Sequence, residues 1–166
     1  MIELSLESIS LLIACVSIVV GVASIVDKNR REIKTREANL LMQVLHWFSD
    51  SSHLKDWLDV VYVEKWTTWE EYEARYGMGE HNEDEAKVWA VVGFYQTLGT
   101  LVRKNLVDIK MVYNYISPFM IPMWQKMKPI IKENRKAYSH KGWEDYEWLA
   151  KQFRKIYVEE RRGEPT

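Results

Sequence analysis

The sequence has few of the residues that break regular structure or cross-link a chain. Its 166 residues include seven glycines, four prolines and a single cysteine, Cys15. One cysteine excludes an internal disulfide framework and a multi-cysteine zinc site. The formal net charge of −1 gives no overall bias towards nucleic acid. Long polar low-complexity tracts are missing too, so a disordered chain is not expected.

Motifs of the common catalytic classes are also missing. The sequence has no glycine-rich phosphate loop, no GxSxG nucleophile motif and no HExxH zinc motif. Its four histidines are scattered along the chain, and we assign no metal site to them. We therefore predict no catalytic residue and no cofactor, and favour a protein that is not an enzyme.

One long uncharged run lies near the amino terminus. Residues 8–26, SISLLIACVSIVVGVASIV, contain no charged side chain. At about 1.5 Å per helical residue the run nearly crosses a hydrocarbon core of about 30 Å. We predict a transmembrane helix over 8–26 after a short extracytoplasmic segment, 1–7. A cleaved signal peptide is the alternative, but Glu3 and Glu7 stand where a signal peptide has basic residues.

Basic residues follow the run instead of preceding it. By the positive-inside rule, this asymmetry predicts a single-pass protein with its amino terminus outside and its remaining chain in the cytoplasm. The same residues are candidates for contact with anionic lipid headgroups. They are Lys28, Arg30, Arg31, Lys34 and Arg36.

Small residues recur along the predicted span in alternating steps of four and three. This stripe consists of Ser10, Ala14, Ser17, Gly21 and Ser24. Small side chains let helix backbones approach closely in lipid, so the stripe predicts self-association or pairing with another membrane protein. Alternatively, it reflects the ordinary frequency of these residue types in membrane helices.

The rest of the chain predicts an all-α fold. Apolar residues recur at helical spacing, whereas strand-like alternation and hairpin turn sequences are missing. We expect the span to continue as a basic stem over 27–49. A bundle of about five helices should follow over 50–160, and 161–166 should fray.

Two features of this bundle concern helix ends. Ser117 and Pro118 are expected to open a helix, which Pro122 and Pro129 would kink or interrupt. In the stretch GFYQTLGTLVRKNLVD, residues 93–108, Asn105 is expected to end a helix in the left-handed conformation. Asp108 would then cap the following helix.

The same stretch contains a candidate pocket. Gly93 and Gly99 each weaken a helix by about 1 kcal/mol relative to alanine, which predicts close packing against another helix or a bound group. For a bound group, the pocket would lie between this helix and the Met/Trp-rich helix that begins at Pro118. Its candidate residues are Gly93, Tyr95, Gln96, Gly99 and Trp124.

A basic helical face is the remaining candidate site. Lys128, Lys132 and Arg135 follow i, i+4 and i+7 spacing and should lie on one side of a helix. The face either is simply solvated or binds an anionic partner. That partner would be an acidic protein, a nucleic acid or, as the leading candidate, an anionic lipid headgroup. Nucleic acid is the least favoured of the three.

Three short pieces carry a family resemblance: GFYQTLGTLVRKNLVD, WQKMKPII from Trp124 and YEWLA from Tyr146. In these pieces the sequence resembles an uncharacterised membrane-anchored family, the domain of unknown function DUF4760. The order of the predicted regions, a membrane helix, a basic stem and a helical domain, is also similar to that family. Gln96 stands where that family usually has an acid, and Asn105 where it usually has glycine. The resemblance implies location and architecture, and no activity.

These observations favour a membrane-anchored cytoplasmic domain for protein–protein interaction or scaffolding. We expect it to form a homo-oligomer or to pair with a membrane-protein partner. The alternative is a membrane-tethered sensor that binds a small ligand or lipid. A cryptic hydrolase or a nucleic-acid effector is less favoured.

Overall fold

The computed structural model describes residues 6–76, 83–138 and 141–163, with side chains from Cys15 to Arg162 within those ranges. Every regular element in these ranges is helical, which confirms the all-α fold class. A π-helical turn, Asp59–Val63, continues the second helix. The α-helices are α1 (Leu6–Ser49), α2 (Ser51–Leu58), α3 (Trp69–Tyr76), α4 (Glu83–Arg103), α5 (Ile109–Tyr138) and α6 (Glu144–Gly163).

The chain divides into two compact units, residues 1–39 and 40–166. In the first unit, the side chains from Cys15 to Arg36 are all exposed. Ion pairs along α1 join Arg31 to Asp27 at 2.8 Å and Lys28 to Glu32 at 4.0 Å. Within the part of the chain that the structure describes, no helix is both long and apolar enough to cross a membrane. The side chains of residues 8–14, at the start of the predicted span, lie outside that part.

The core of the second unit is built on α4, α5 and α6. α4 and α5 both pack against α6, and α2 packs against α4. The buried residues of α4 recur every three or four positions, so they form one continuous face. That face includes Val88, Val91, Val92, Tyr95, Leu98 and Val102.

Aromatic side chains are confined to the second unit. Residues 1–39 contain none, whereas all eight tryptophans lie between Trp47 and Trp148. The rings contact one another: Trp47 stacks on Phe94 with 4.5 Å between ring centroids, and Trp89 stacks on Trp143 at 5.4 Å. Such stacked pairs contribute about 0.5–1.5 kcal/mol beyond their area burial.

The predicted helix end at Asn105 is confirmed. Asn105 has a φ of 54°, and the Leu106 N–H donates to the Leu101 carbonyl at 2.9 Å. This is the bond that closes a left-handed helix terminus. Asp108 then caps α5, because its Oδ1 accepts from two backbone N–H groups of the first turn at 2.9 and 3.0 Å.

The predicted helix start at Ser117 and Pro118 is wrong, and so is an interruption at Pro122 or Pro129. α5 runs without interruption from Ile109 to Tyr138, with Pro118, Pro122 and Pro129 inside it. Each interior proline costs about 3 kcal/mol, whereas a fully buried large apolar side chain contributes about 1.5–3 kcal/mol. α5 offsets the prolines with seven apolar side chains that are at most 1% exposed. They are Val112, Ile116, Met120, Met123, Met127, Ile130 and Ile131.

Candidate functional site

The first turn of α6 packs directly on α4. A Cβ added to Gly99 would lie 2.3 Å from the backbone oxygen of Asp145 and 2.5 Å from its carbonyl carbon. Next to it, Gln96 Oε1 accepts a hydrogen bond from the Tyr146 N–H at 3.0 Å. The glycine therefore permits the close approach, and the glutamine satisfies a donor that the start of a helix leaves unpaired.

Two further candidate pocket residues meet at Tyr146. The Tyr95 ring stacks on it with 5.1 Å between centroids, and Trp124 contacts it edge-on at 5.0 Å. Tyr95 and Tyr146 have no exposed surface. Burial raises the pKa of both phenols, and their mutual proximity adds to the rise for Tyr146. Both hydroxyls therefore stay protonated at neutral pH, and the rings serve packing.

Four of the five candidate pocket residues thus converge on Asp145 and Tyr146. Gly93 differs from them, because a Cβ added there would have no atom within 4 Å. These contacts join α4, α5 and α6 through packed aromatic rings and one close approach of α4 to the backbone of α6.

Sequence reasoning missed the polar contacts beside Gly99. Asp145 accepts hydrogen bonds from the Thr100 hydroxyl at 2.6 Å and the Arg103 guanidinium at 2.7 Å. These two hydrogen bonds, the one from Thr100 first, hold the pKa of Asp145 below its ordinary value. Local sequence carries no signal for the contacts, because the partners are more than 40 residues apart.

The three residues of the predicted basic face differ in their surroundings. Lys128 and Lys132 are exposed. Arg135 instead turns towards the start of α6, where its Nε donates to the Gly142 carbonyl at 2.7 Å and its Nη1 to Glu147 at 2.6 Å. Arg135 therefore links the last part of α5 to Gly142 and to the first turn of α6.

A groove of about 730 Å³ lies between α5 and α6. Its apolar lining includes Met120 and Trp124 from α5 and Ala150 from α6. The sequence analysis did not predict the α6 side of this groove. A signal for it was present, because Ala150, Arg154 and Tyr157 follow i, i+4 and i+7 spacing and so share one helix face. The remaining lining residues are Ile121, Gln125, Lys128, Glu147 and Lys151.

Residues 11–153 match the family described as domain of unknown function DUF4760. The chain belongs to this family. The match runs from α1 through Phe153 on α6, so the DUF4760 region includes the α4–α6 contact and most of the groove. Comparisons with curated proteins and with solved structures found no match.

The candidate residues of α1 in this DUF4760 protein are exposed where they are described. In the small-residue stripe these are Ser17, Gly21 and Ser24, and a Cβ added to Gly21 would meet no atom within 4 Å. The side chains of Ser10 and Ala14 lie outside the described residues. The basic residues of 28–36 are all exposed, including the two that form ion pairs within the helix.

Proposed function

We propose that this DUF4760 protein is a single-pass membrane protein whose helical domain lies in the cytoplasm and binds a protein partner. One observation carries the proposal: the described apolar part of α1 is exposed on all sides. Ile18 and Val19, for example, are 66% and 67% exposed. A helix that is apolar all round is stable when protein or lipid surrounds it.

Residues 8–14 would complete the span, and the basic residues of 28–36 would set its orientation and contact anionic headgroups. The test is carbonate extraction of cell membranes that contain the full-length chain with a carboxyl-terminal tag. Protease digestion of intact cells would then report the topology. We expect the protein to stay in the membrane pellet with its tag protected. Release by carbonate, or a mature chain that begins near Ser24, would contradict the anchor.

The surface of the second unit supports a protein partner. Outside its buried core, the unit exposes large side chains of types that interfaces favour. Tyr62 is 62% exposed, Met111 is 43% exposed and Tyr115 is 60% exposed. A partner that covers them would remove this apolar surface from water, which is favourable.

The small-residue stripe supports pairing inside the membrane. Gly21→Ile would put a large side chain on the stripe, whereas Ala23→Ile makes a similar change on the opposite side of the helix. We expect cross-linking in native membranes to give a specific dimer or heteromer that Gly21→Ile alone abolishes. Equal cross-linking by both variants would refute pairing through the stripe. If only background is recovered with the native span, the interaction proposal fails.

A membrane-tethered ligand sensor is the second candidate function. The α5–α6 groove favours it, because about 730 Å³ is within the usual size of small-molecule sites, about 300–1,000 Å³. Native mass spectrometry of the purified full-length protein would test it. A stoichiometric bound small molecule or lipid would support the sensor, and its absence across several preparations would count against it.

A further inference from the structure

We propose that the α5–α6 groove binds an acidic amphipathic helix of a partner protein. The inference rests on the proposed interaction function and specifies the chemistry of the partner. Its evidence is the combination of an apolar floor with cations on both sides.

The floor of the groove is apolar and long enough for nearly three helical turns. Its apolar surface comes from Ile121 and Trp124, which are half-buried, and from Tyr157, which is 41% exposed, while Met120 and Ala150 are buried beneath it. Along α6 the lining extends from Glu147 to Tyr157, which is about 15 Å of helix. Tryptophan and tyrosine suit such a surface, since each offers a large and rigid contact area.

The two rims of the groove carry positive charge. Lys128 lies on the α5 side, and Lys151 and Arg154 lie on the α6 side. Lys128 and Arg154 form no ion pair with the described residues. The single acid of the lining, Glu147, is already engaged by Arg135 at 2.6 Å and by Lys151 at 2.7 Å. Two cations are therefore available to an incoming anionic group.

The distribution of these cations favours a helix over a lipid. A lipid headgroup with a single phosphate concentrates its charge at one point and would leave the cation on the opposite rim without a partner. A helix with an apolar stripe and acids on both flanks meets the floor and both rims together. This is the helix-in-groove mode of recognition, in which complementary charge fixes the register.

Fluorescence anisotropy of the full-length protein in a neutral detergent tests the proposal. The probe is a labelled helix of about two heptads with leucines at core positions and glutamates on both flanks. A scrambled peptide of the same composition is the control probe. The groove variant is Lys128→Glu with Arg154→Glu. Its matched control, Lys55→Glu with Lys110→Glu, makes the same change of net charge at exposed positions away from the groove lining.

We expect the amphipathic peptide to bind wild type and the control variant alike. Binding to the groove variant should be at least about tenfold weaker, or about 1.4 kcal/mol. Equal weakening in both variants, equal binding of the scrambled peptide, or no binding to wild type would each overturn the proposal. The proposal would also be overturned if anionic vesicles bound the protein through Lys128 and Arg154 more tightly than the peptide does.

Failure here is distinguishable from failure of the proposed function. The peptide assay requires neither an intact membrane nor the native partner. If cross-linking recovers a partner but the peptide does not bind, only the groove assignment is wrong. If the chain proves not to be membrane-anchored, the peptide result is unaffected.

Discussion

Replacing Gly99 with alanine tests how closely α4 and α6 approach each other. Alanine improves helix propensity by about 1 kcal/mol, so propensity alone predicts a more stable protein. The new Cβ would, however, lie 2.3 Å from the Asp145 backbone oxygen. Because the obstructing atoms belong to the backbone and not to a flexible side chain, one of the two helices must move. Gly93→Ala is the matched control, since its Cβ would meet nothing within 4 Å.

The two substitutions should change stability in opposite directions. Overpacking costs about 1–3 kcal/mol, and moving α6 would also strain the Gln96–Tyr146 hydrogen bond, worth about 0.5–1.5 kcal/mol. After the propensity gain, we expect Gly99→Ala to lower the free energy of unfolding by about 1–3 kcal/mol. Gly93→Ala should raise it by about 0.5–1 kcal/mol.

Thermal unfolding of the full-length protein, followed by far-ultraviolet circular dichroism, measures the difference. For a domain of this size, 1 kcal/mol corresponds to about 4 °C in Tm. We expect Gly99→Ala to melt several degrees below wild type and Gly93→Ala slightly above it. If both variants were stabilised equally, the close α4–α6 contact would be refuted.

Three further changes test the same region. Gln96→Ala removes the acceptor for the Tyr146 N–H and should lower the free energy of unfolding by about 1 kcal/mol. Gln96→Glu keeps an acceptor there and should unfold like wild type. An equal loss of stability in both variants would contradict the capping role. Asn105→Gly should raise stability by about 0.5 kcal/mol, because glycine adopts a φ of 54° without steric cost, and a lower Tm would contradict this. The pKa of Asp145 is lowered in the folded protein by Thr100 and Arg103, so its contribution is complete above the ordinary value of 3.8 and is lost as pH falls through the folded pKa. In acid titrations monitored by Tm, Asp145→Asn should therefore reduce the loss of stability below about pH 4, and an unchanged acid slope would refute the role of this carboxylate.

Features that depend on neighbouring residues could be predicted from the sequence. The left-handed conformation of Asn105 and the cap at Asp108 involve partners within five positions along the chain. The buried face of α4 follows from helical periodicity alone. In each case the relevant chemistry is local, so a short stretch of sequence contains it.

Most features that depend on distant residues could not be predicted, although the close packing expected at Gly99 is confirmed. Helical spacing placed Lys128, Lys132 and Arg135 on one face but gave no information about what lies opposite, and Glu147 draws Arg135 into a structural role. The three prolines of α5 indicated a break, because the sequence does not reveal how well the residues between them pack. Gln96 supplies the acceptor oxygen for the Tyr146 N–H on α6, and the two residues are 50 positions apart in the sequence.

The confinement of aromatic residues to the second unit has an optical consequence. Because residues 1–39 contain no aromatic side chain, all intrinsic fluorescence comes from residues 40–166. Lipids brominated in their acyl chains quench indoles that they touch. With the proposed span in such a bilayer, any quenching would report contact between the helical domain itself and the lipid. A wild-type protein without labels could thus show whether the domain rests on the membrane surface or stands clear of it.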